Sequence, residues 1–255
     1  VTGLVVASLA SALGAITDEE TRAGVISICI GGGTTGVALY TDGRPVKLAV
    51  IPIGGDHITN DLAYVMKIPI SKAEEIKKLI SLYSDEDDDQ ELDVDVRGRT
   101  RTFNAREASE VISCRLEELF TEHVRNQLAD FTMHMFPAGV VLSGGVAKTP
   151  GIEHFASELL SLPVRIAEPL DMYQMPPGRN DCEYTTSAGI VRYMTSKERN
   201  PYRFIETPVS QLRSGSGGLQ PGFSIVKPQG RSGVSRGEGF RGFVDFLKRT
   251  VKELF

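Results

Sequence analysis

Val25-Ile-Ser-Ile-Cys-Ile30 is a short apolar run that breaks into Gly31-Gly-Gly-Thr-Thr-Gly36 and resumes as Val37-Ala-Leu-Tyr40. Apolar runs of this length bounded by turn residues read as buried strands. Asp42-Gly43 is a hairpin signal, and Val46 to Ile53 follows as a third strand. Residues 25–53 are therefore expected to form a three-strand meander whose first turn is Gly31-Gly-Gly-Thr-Thr35. Three consecutive glycines leave backbone N–H groups open to close around phosphate oxygens, and Thr34 and Thr35 add hydroxyl donors. A glycine-rich hairpin without a ligand has the same sequence, so the turn alone does not settle its role.

On the N-terminal side, Thr17 is placed to cap a short helical turn that carries Asp18, Glu19 and Glu20 and stops before Gly24. The first block of the chain reads as strand-rich. Val1 to Ile16 is apolar without the basic start of a signal peptide, and the chain opens without Met, which reads as a fragment. On the C-terminal side, Ile58, Leu62, Val65 and Met66 fit a helix. Ser71-Lys-Ala-Glu74 has the spacing of a capping box that opens the next helix, with Glu74 reaching back. The acidic run over 84–95 reads as a solvated loop entering an edge hairpin that turns at Arg97-Gly98-Arg99. Residues 105–130 carry apolar positions at three- and four-residue steps from Ala108 to Leu128, with Asn104 as the cap.

A second glycine turn closes the strand Ala138-Gly-Val-Val-Leu142. Ser143-Gly-Gly145 precedes Thr149-Pro150, read as N-cap and first residue of a helix over 150–160. Such an end lets a ligand lie against the backbone. Val164 to Ile166 is a further strand and Ser187 to Met194 a further helix. From Glu206 to Glu238 the composition shifts to Gly, Ser, Pro, Gln and Arg, the signature of a flexible linker. The last sixteen residues become periodic again: Phe240, Phe243, Val244, Leu247, Val251, Leu254 and Phe255 share one helical face, and Lys248, Lys252, Arg241 and Arg249 supply positive charge. That pattern fits a helix lying in a membrane interface, or one docked on a protein surface.

The bulk properties narrow the classes. The chain has 255 residues, 41% of them hydrophobic, and 28 basic against 33 acidic side chains for a net charge of −5. This balance excludes general nucleic-acid binding, which needs a basic excess or stripe. Three scattered cysteines, Cys29, Cys114 and Cys182, make neither a disulfide framework nor a metal-ligand spacing and fit a reducing compartment.

Two glycine turns in this order, about 110 residues apart, resemble the actin-like ATPase superfamily. The neighbours narrow the resemblance to the FtsA family of bacterial cell-division proteins. The residues that carry it are Val50-Ile-Pro-Ile-Gly-Gly-Asp-His-Ile-Thr-Asn-Asp-Leu-Ala63, Ala73-Glu-Glu-Ile-Lys77, Cys114-Arg-Leu-Glu-Glu118, Ser143-Gly-Gly-Val-Ala-Lys-Thr-Pro-Gly-Ile152 and Pro163-Val-Arg-Ile166. The likeness spans roughly 1–195, and the terminal helix adds to it.

The resemblance implies an α/β, actin-like ATPase (ribonuclease-H-like) fold, of which this is the second half, followed by a disordered linker and a C-terminal amphipathic helix. It implies a large lobe from 1–57 and 113–170, a small lobe from 58–112, a helix over 171–205 returning to the absent first lobe, a linker over 206–239, and a membrane-targeting helix over 240–255. ATP with Mg would be held by Gly31, Gly32, Gly33, Thr34, Thr35, Gly144, Gly145 and Val146, with Glu74 and Lys77 at the ribose or adenine. For Glu74, helix capping is the alternative explanation. Arg115 and Glu118 are candidates for the tail of FtsZ, or plain helix-surface charges. Self-association into filaments, an anionic membrane surface and the division septum at the cytoplasmic face of the inner membrane complete the expectation. A type IV pilus assembly protein and an actin-superfamily kinase or chaperone are the alternatives; the tail separates the first, and the lack of a substrate domain the second.

One departure bears on chemistry. The family carries Asp just before the first glycine turn, where this chain has Cys29, and often Asp where it has Gly36. A buried cysteine is usually a small hydrophobe, and magnesium prefers oxygen ligands. Nucleotide binding with weak or absent hydrolysis is the expectation.

Overall fold

In the computed structural model, the described residues are 4–82, 91–96, 98–171 and 181–199. The expected linker and terminal helix, with every membrane-facing residue named above, lie outside them.

A five-stranded sheet forms the centre: β1 (Val25–Ile30), β2 (Thr35–Thr41), β3 (Arg44–Ile51), β6 (Val140–Ser143) and β7 (Val164–Ile166), in the spatial order β3-β2-β1-β6-β7. The first three are the expected antiparallel meander, and β6 and β7 add in parallel. Alternation along β1 divides the two faces. Ile26, Ile28 and Ile30 join the large core with Leu62, Ile112, Leu116 and Phe120, whereas Val25 joins Ala12, Ala15, Tyr40 and Val141 on the other face.

The second face is covered by α1 (Ala7–Ala15), and α8 (Thr185–Arg199) packs on α1. The former lies where a strand-rich block was expected. Its sequence, Ala-Ser-Leu-Ala-Ser-Ala-Leu-Gly-Ala, is small-sided apart from Leu9 and Leu13, which suits packing on two sides. The helices approach so closely that a Cβ on Gly14 would sit 1.9 Å from the Thr185 carbonyl oxygen, and one on Gly189 1.7 Å from that of Ala10. α2 (Asp18–Ala23) follows with the expected cap: Thr17 Oγ1 accepts from the Glu20 N–H at 3.2 Å, and the Glu20 carboxylate accepts from the Thr17 N–H at 2.8 Å.

The large core is closed by α3 (Gly55–Met66), α4 (Ile70–Leu79), the hairpin β4 (Glu91–Val96) and β5 (Arg99–Asn104), α5 (Ala105–Glu118), α6 (Arg125–Leu128) and α7 (Ile152–Leu160). Three expectations are corrected. The capping box at Ser71 is absent: α4 starts at Ile70 after Pro69, whose carbonyl accepts from the Lys72 and Ala73 N–H groups at 2.9 and 3.0 Å. Proline needs no N–H partner and its fixed φ suits the position. Thr149-Pro150 does not open α7 either. Gly151 takes a left-handed conformation (φ 85°) and the helix begins at Ile152, while the Pro150 carbonyl accepts from the Leu82 N–H at 2.9 Å. Finally, 105–130 is not one regular helix. Leu119–Val124 is π-helical between α5 and α6. The buried residues Leu116, Phe120, Val124 and Leu128 recur every four. On an α-helix that spacing drifts by about 40° per step, and a wider turn brings them back to the core.

A candidate nucleotide wall and a buried ion pair

β1 and β6 are parallel neighbours in the register Cys29 to Ser143. Both glycine turns therefore leave the same edge of the sheet side by side, at the carboxyl ends of their strands, where open α/β sheets receive ligands.

The first turn is braced by α3. The Gly31 and Gly32 carbonyls accept from the Gly55 and Asp56 N–H groups, both at 2.8 Å, and the Gly31 N–H donates to the Thr34 carbonyl at 2.9 Å. Gly32, Gly33 and Thr34 are exposed. Thr35 is not available as expected: it is fully buried, and its hydroxyl donates to the Ile53 carbonyl at 2.8 Å. Its donor is spent on tying β2 to the strand end that leads into α3.

The second turn passes close to β1. Gly144 has φ 88°, and a Cβ there would meet the Ile30 carbonyl oxygen at 2.3 Å, while a Cβ on Gly145 would meet nothing within 4 Å. The Gly144 N–H donates to the Cys182 carbonyl at 3.0 Å, and the Cys182 thiol to the Gly144 carbonyl at 3.5 Å. Burial pushes that thiol up to about 11. Val146 packs at the joint between the turns, with its Cγ2 2.9 Å from where a Gly55 Cβ would stand.

Glu74 and Lys77 reach the same joint. Lys77 Nζ donates to the Gly55 carbonyl at 3.2 Å and to Thr59 Oγ1 at 2.8 Å, and it pairs with Glu74. Thr59 Oγ1 in turn lies 2.6 Å from Glu74 Oε2. Burial pushes the Glu74 carboxyl up, but hydrogen bonds from Lys77 and Thr59, with the Lys77 charge, hold it below its ordinary value. Glu74 is therefore a polar strut between α4 and α3.

These residues fit a nucleotide along one wall: exposed backbone at Gly32 and Gly33, open space at Gly145, and an ammonium at Lys77. They do not fit a magnesium ion where the family would place one. Cys29 Sγ faces Thr186 Oγ1 at 3.9 Å, and Gly36 is hemmed in by α1, where a Cβ would lie 3.0 Å from Ser8 Cβ. The carboxylate nearest the first turn is that of Asp56, 3.3 Å from the position of a Gly32 Cβ.

Arg115 and Glu118 lie on another part of α5. The Arg115 guanidinium donates to both oxygens of Asp61 on α3, at 2.6 and 3.0 Å, and also to Glu118. The side chains of Arg115 and Asp61 are 17% and 7% exposed. Burial pulls the Arg115 pKa down, and Asp61 and Glu118 more than offset it, so the guanidinium is held above its ordinary value. Arg115 is thus a buried bridge between helices, and Glu118 the more accessible of the two. Sequence reasoning missed Asp61 and Thr59, which lie two positions apart on a helix it did foresee and so face different neighbours, Thr59 toward Glu74 and Lys77 and Asp61 toward Arg115.

The family model "Cell division protein FtsA" matches residues 27–189. The cell division protein FtsA of Bacillus subtilis is 32% identical over 203 residues, which cover 78% of this chain and 45% of that protein. The chain spans about half the length of the relatives it matches. Among solved structures, MreB5 of Spiroplasma citri bound to ADP superposes with a TM-score of 0.65 at 21% identity, over 78% of this chain and 61% of that one. The MamK double helical filament gives 0.58 at 14% identity, over 74% and 58%. Both likenesses show the actin-like ATPase fold. By its family match, the identity of its relatives and its fold, the chain belongs to the FtsA family of cell division proteins.

Proposed function

We propose that this chain supplies one wall of an ATP site in a membrane-tethering adaptor of the bacterial division machinery, which polymerises in actin-like fashion and holds FtsZ at the inner membrane. The observation that carries the nucleotide part is the departure of both glycine turns from the ends of adjacent parallel strands. The division role follows from family membership. The tether rests on the apolar and basic faces of residues 240–255; among the described residues no helix is long and apolar enough to cross a membrane. The large lobe is taken as 1–57 with 113–170 and the small lobe as 58–112. Arg115 and Glu118 are the candidates for the FtsZ tail.

ATP is bound in this reading with slow or no turnover. A thiol turned toward Thr186 at position 29 is a poor magnesium ligand. Titration of a fluorescent ATP analogue is expected to give saturable binding that survives chelation of magnesium and is lost in Gly145→Val. Magnesium-dependent turnover at the rate of active actin-like ATPases would overturn the reading. For the tether, vesicles with anionic lipid should pellet the full chain and not a chain ending at residue 239; equal pelleting refutes it.

A further inference from the structure

The π-helical segment Leu119–Val124 does more than return Phe120 and Val124 to the core. In an α-helix residues five apart point about 140° away from each other. In a π turn they are separated by only about 50°. Glu118 and His123 thus come to one side, with Glu122 beside them. One donor atom from each of the three lies within 4.8 Å of the others, and His123 Nε2 is 3.6 Å from Glu118 Oε1. Two ligand atoms on one tetrahedral zinc ion stand about 3.4 Å apart, so that pair is already at the right separation and exposed Glu122 has room to close on it.

We propose that Glu118, Glu122 and His123 bind a divalent transition-metal cation of the zinc type. Two further features support the assignment. Glu118 Oε2 accepts from Arg115, which Asp61 holds from behind, so the carboxylate is oriented and Oε1 is left toward His123; such outer contacts orient metal ligands. The charge also suits a dication. Arg115 and Asp61 cancel, leaving the two carboxylates of Glu118 and Glu122 beside the imidazole. One nitrogen and two oxygens favour zinc, cobalt(II) or nickel(II) over magnesium or calcium, which take oxygen sets. Three protein ligands leave a further position for water or for a group on a partner. The site is separate from the nucleotide wall and does not depend on it.

The test uses the full 255-residue chain, freed of metal by chelation and titrated with zinc chloride by calorimetry and with cobalt(II) by visible absorption. One equivalent is expected to bind without the near-ultraviolet thiolate-to-cobalt band that a cysteine ligand gives. His123→Ala and Glu122→Gln should each weaken zinc binding by at least about tenfold, while Cys114→Ser leaves it unchanged. Thermal melts of the metal-free variants should match the parent, separating ligand loss from misfolding. Unchanged affinity in His123→Ala, a thiolate band, or no saturable binding below millimolar zinc overturns the proposal and leaves His123 and Glu118 as neighbours on one helix face.

Discussion

The two glycine turns exit neighbouring strands at the same level but are held in opposite ways. The first is propped by a helix: its carbonyls take N–H groups from the start of α3, and three of its residues remain open to solvent. The second is wedged by backbone: Gly144 has no room for a side chain, while Gly145, one residue on, faces open space. The Gly-Gly pair is thus two different requirements that happen to be adjacent. One glycine is demanded by the strand beside it, and the other borders open space. The first turn, in contrast, depends on whatever keeps α3 in place, which is Lys77 near one end and Arg115 further along.

The largest effect should come from removing the far support of the first turn. Asp61→Ala strands a largely buried guanidinium and is expected to cost about 3 kcal/mol, read as a lower urea midpoint. A loss under about 0.5 kcal/mol would mean that α3 stands without it. Next comes Gly144→Ala, expected to cost about 2 kcal/mol because φ 88° and the Ile30 carbonyl both oppose a Cβ. A smaller effect attaches to Glu74. Its folded-state pKa lies below the ordinary value for a glutamate. Its contribution is therefore present above the unfolded pKa and is lost as pH falls through the lower folded value. Glu74→Gln should flatten the acid side of a urea-midpoint profile between pH 6 and 3; an unchanged slope removes Glu74 as a stabilising strut. The smallest change in stability belongs to Gly145→Ala, within about 0.5 kcal/mol of the parent. The same substitution is expected to weaken ATP-analogue binding, so the two neighbouring glycines should separate on two different assays. If Gly145→Ala proved as destabilising as Gly144→Ala, the distinction between them would fail.

The strands were legible because their signal is local. Val25–Ile30 and Val164–Ile166 fall where apolar runs bounded by turn residues place them. The helix α1 was not, because amphipathic contrast needs one wet side and this helix is packed against both the sheet and α8. At Ser71 and Thr149 the capping patterns were genuine in sequence, but a proline carbonyl and a left-handed glycine took over the helix starts. The two glycine turns at the ends of β1 and β6 were readable from their own stretches of sequence. The Asp61–Arg115 pair joins residues 54 apart in sequence, and nothing in either neighbourhood marks it. Thr35 shows the reverse error: the residue type suited a phosphate, but the fold had already committed its hydroxyl to Ile53.

The contact between Ser8 and Gly36 couples position 36 to α1. Even a methyl group at position 36 would stand 3.0 Å from Ser8 Cβ and 3.2 Å from its Cα. A side chain there therefore requires α1 to shift by a few tenths of an ångström or more, and that helix is itself clamped to α8 through Gly14 and Gly189. For anyone placing a side chain at position 36, the change in the sheet and the change in α1 have to be made together.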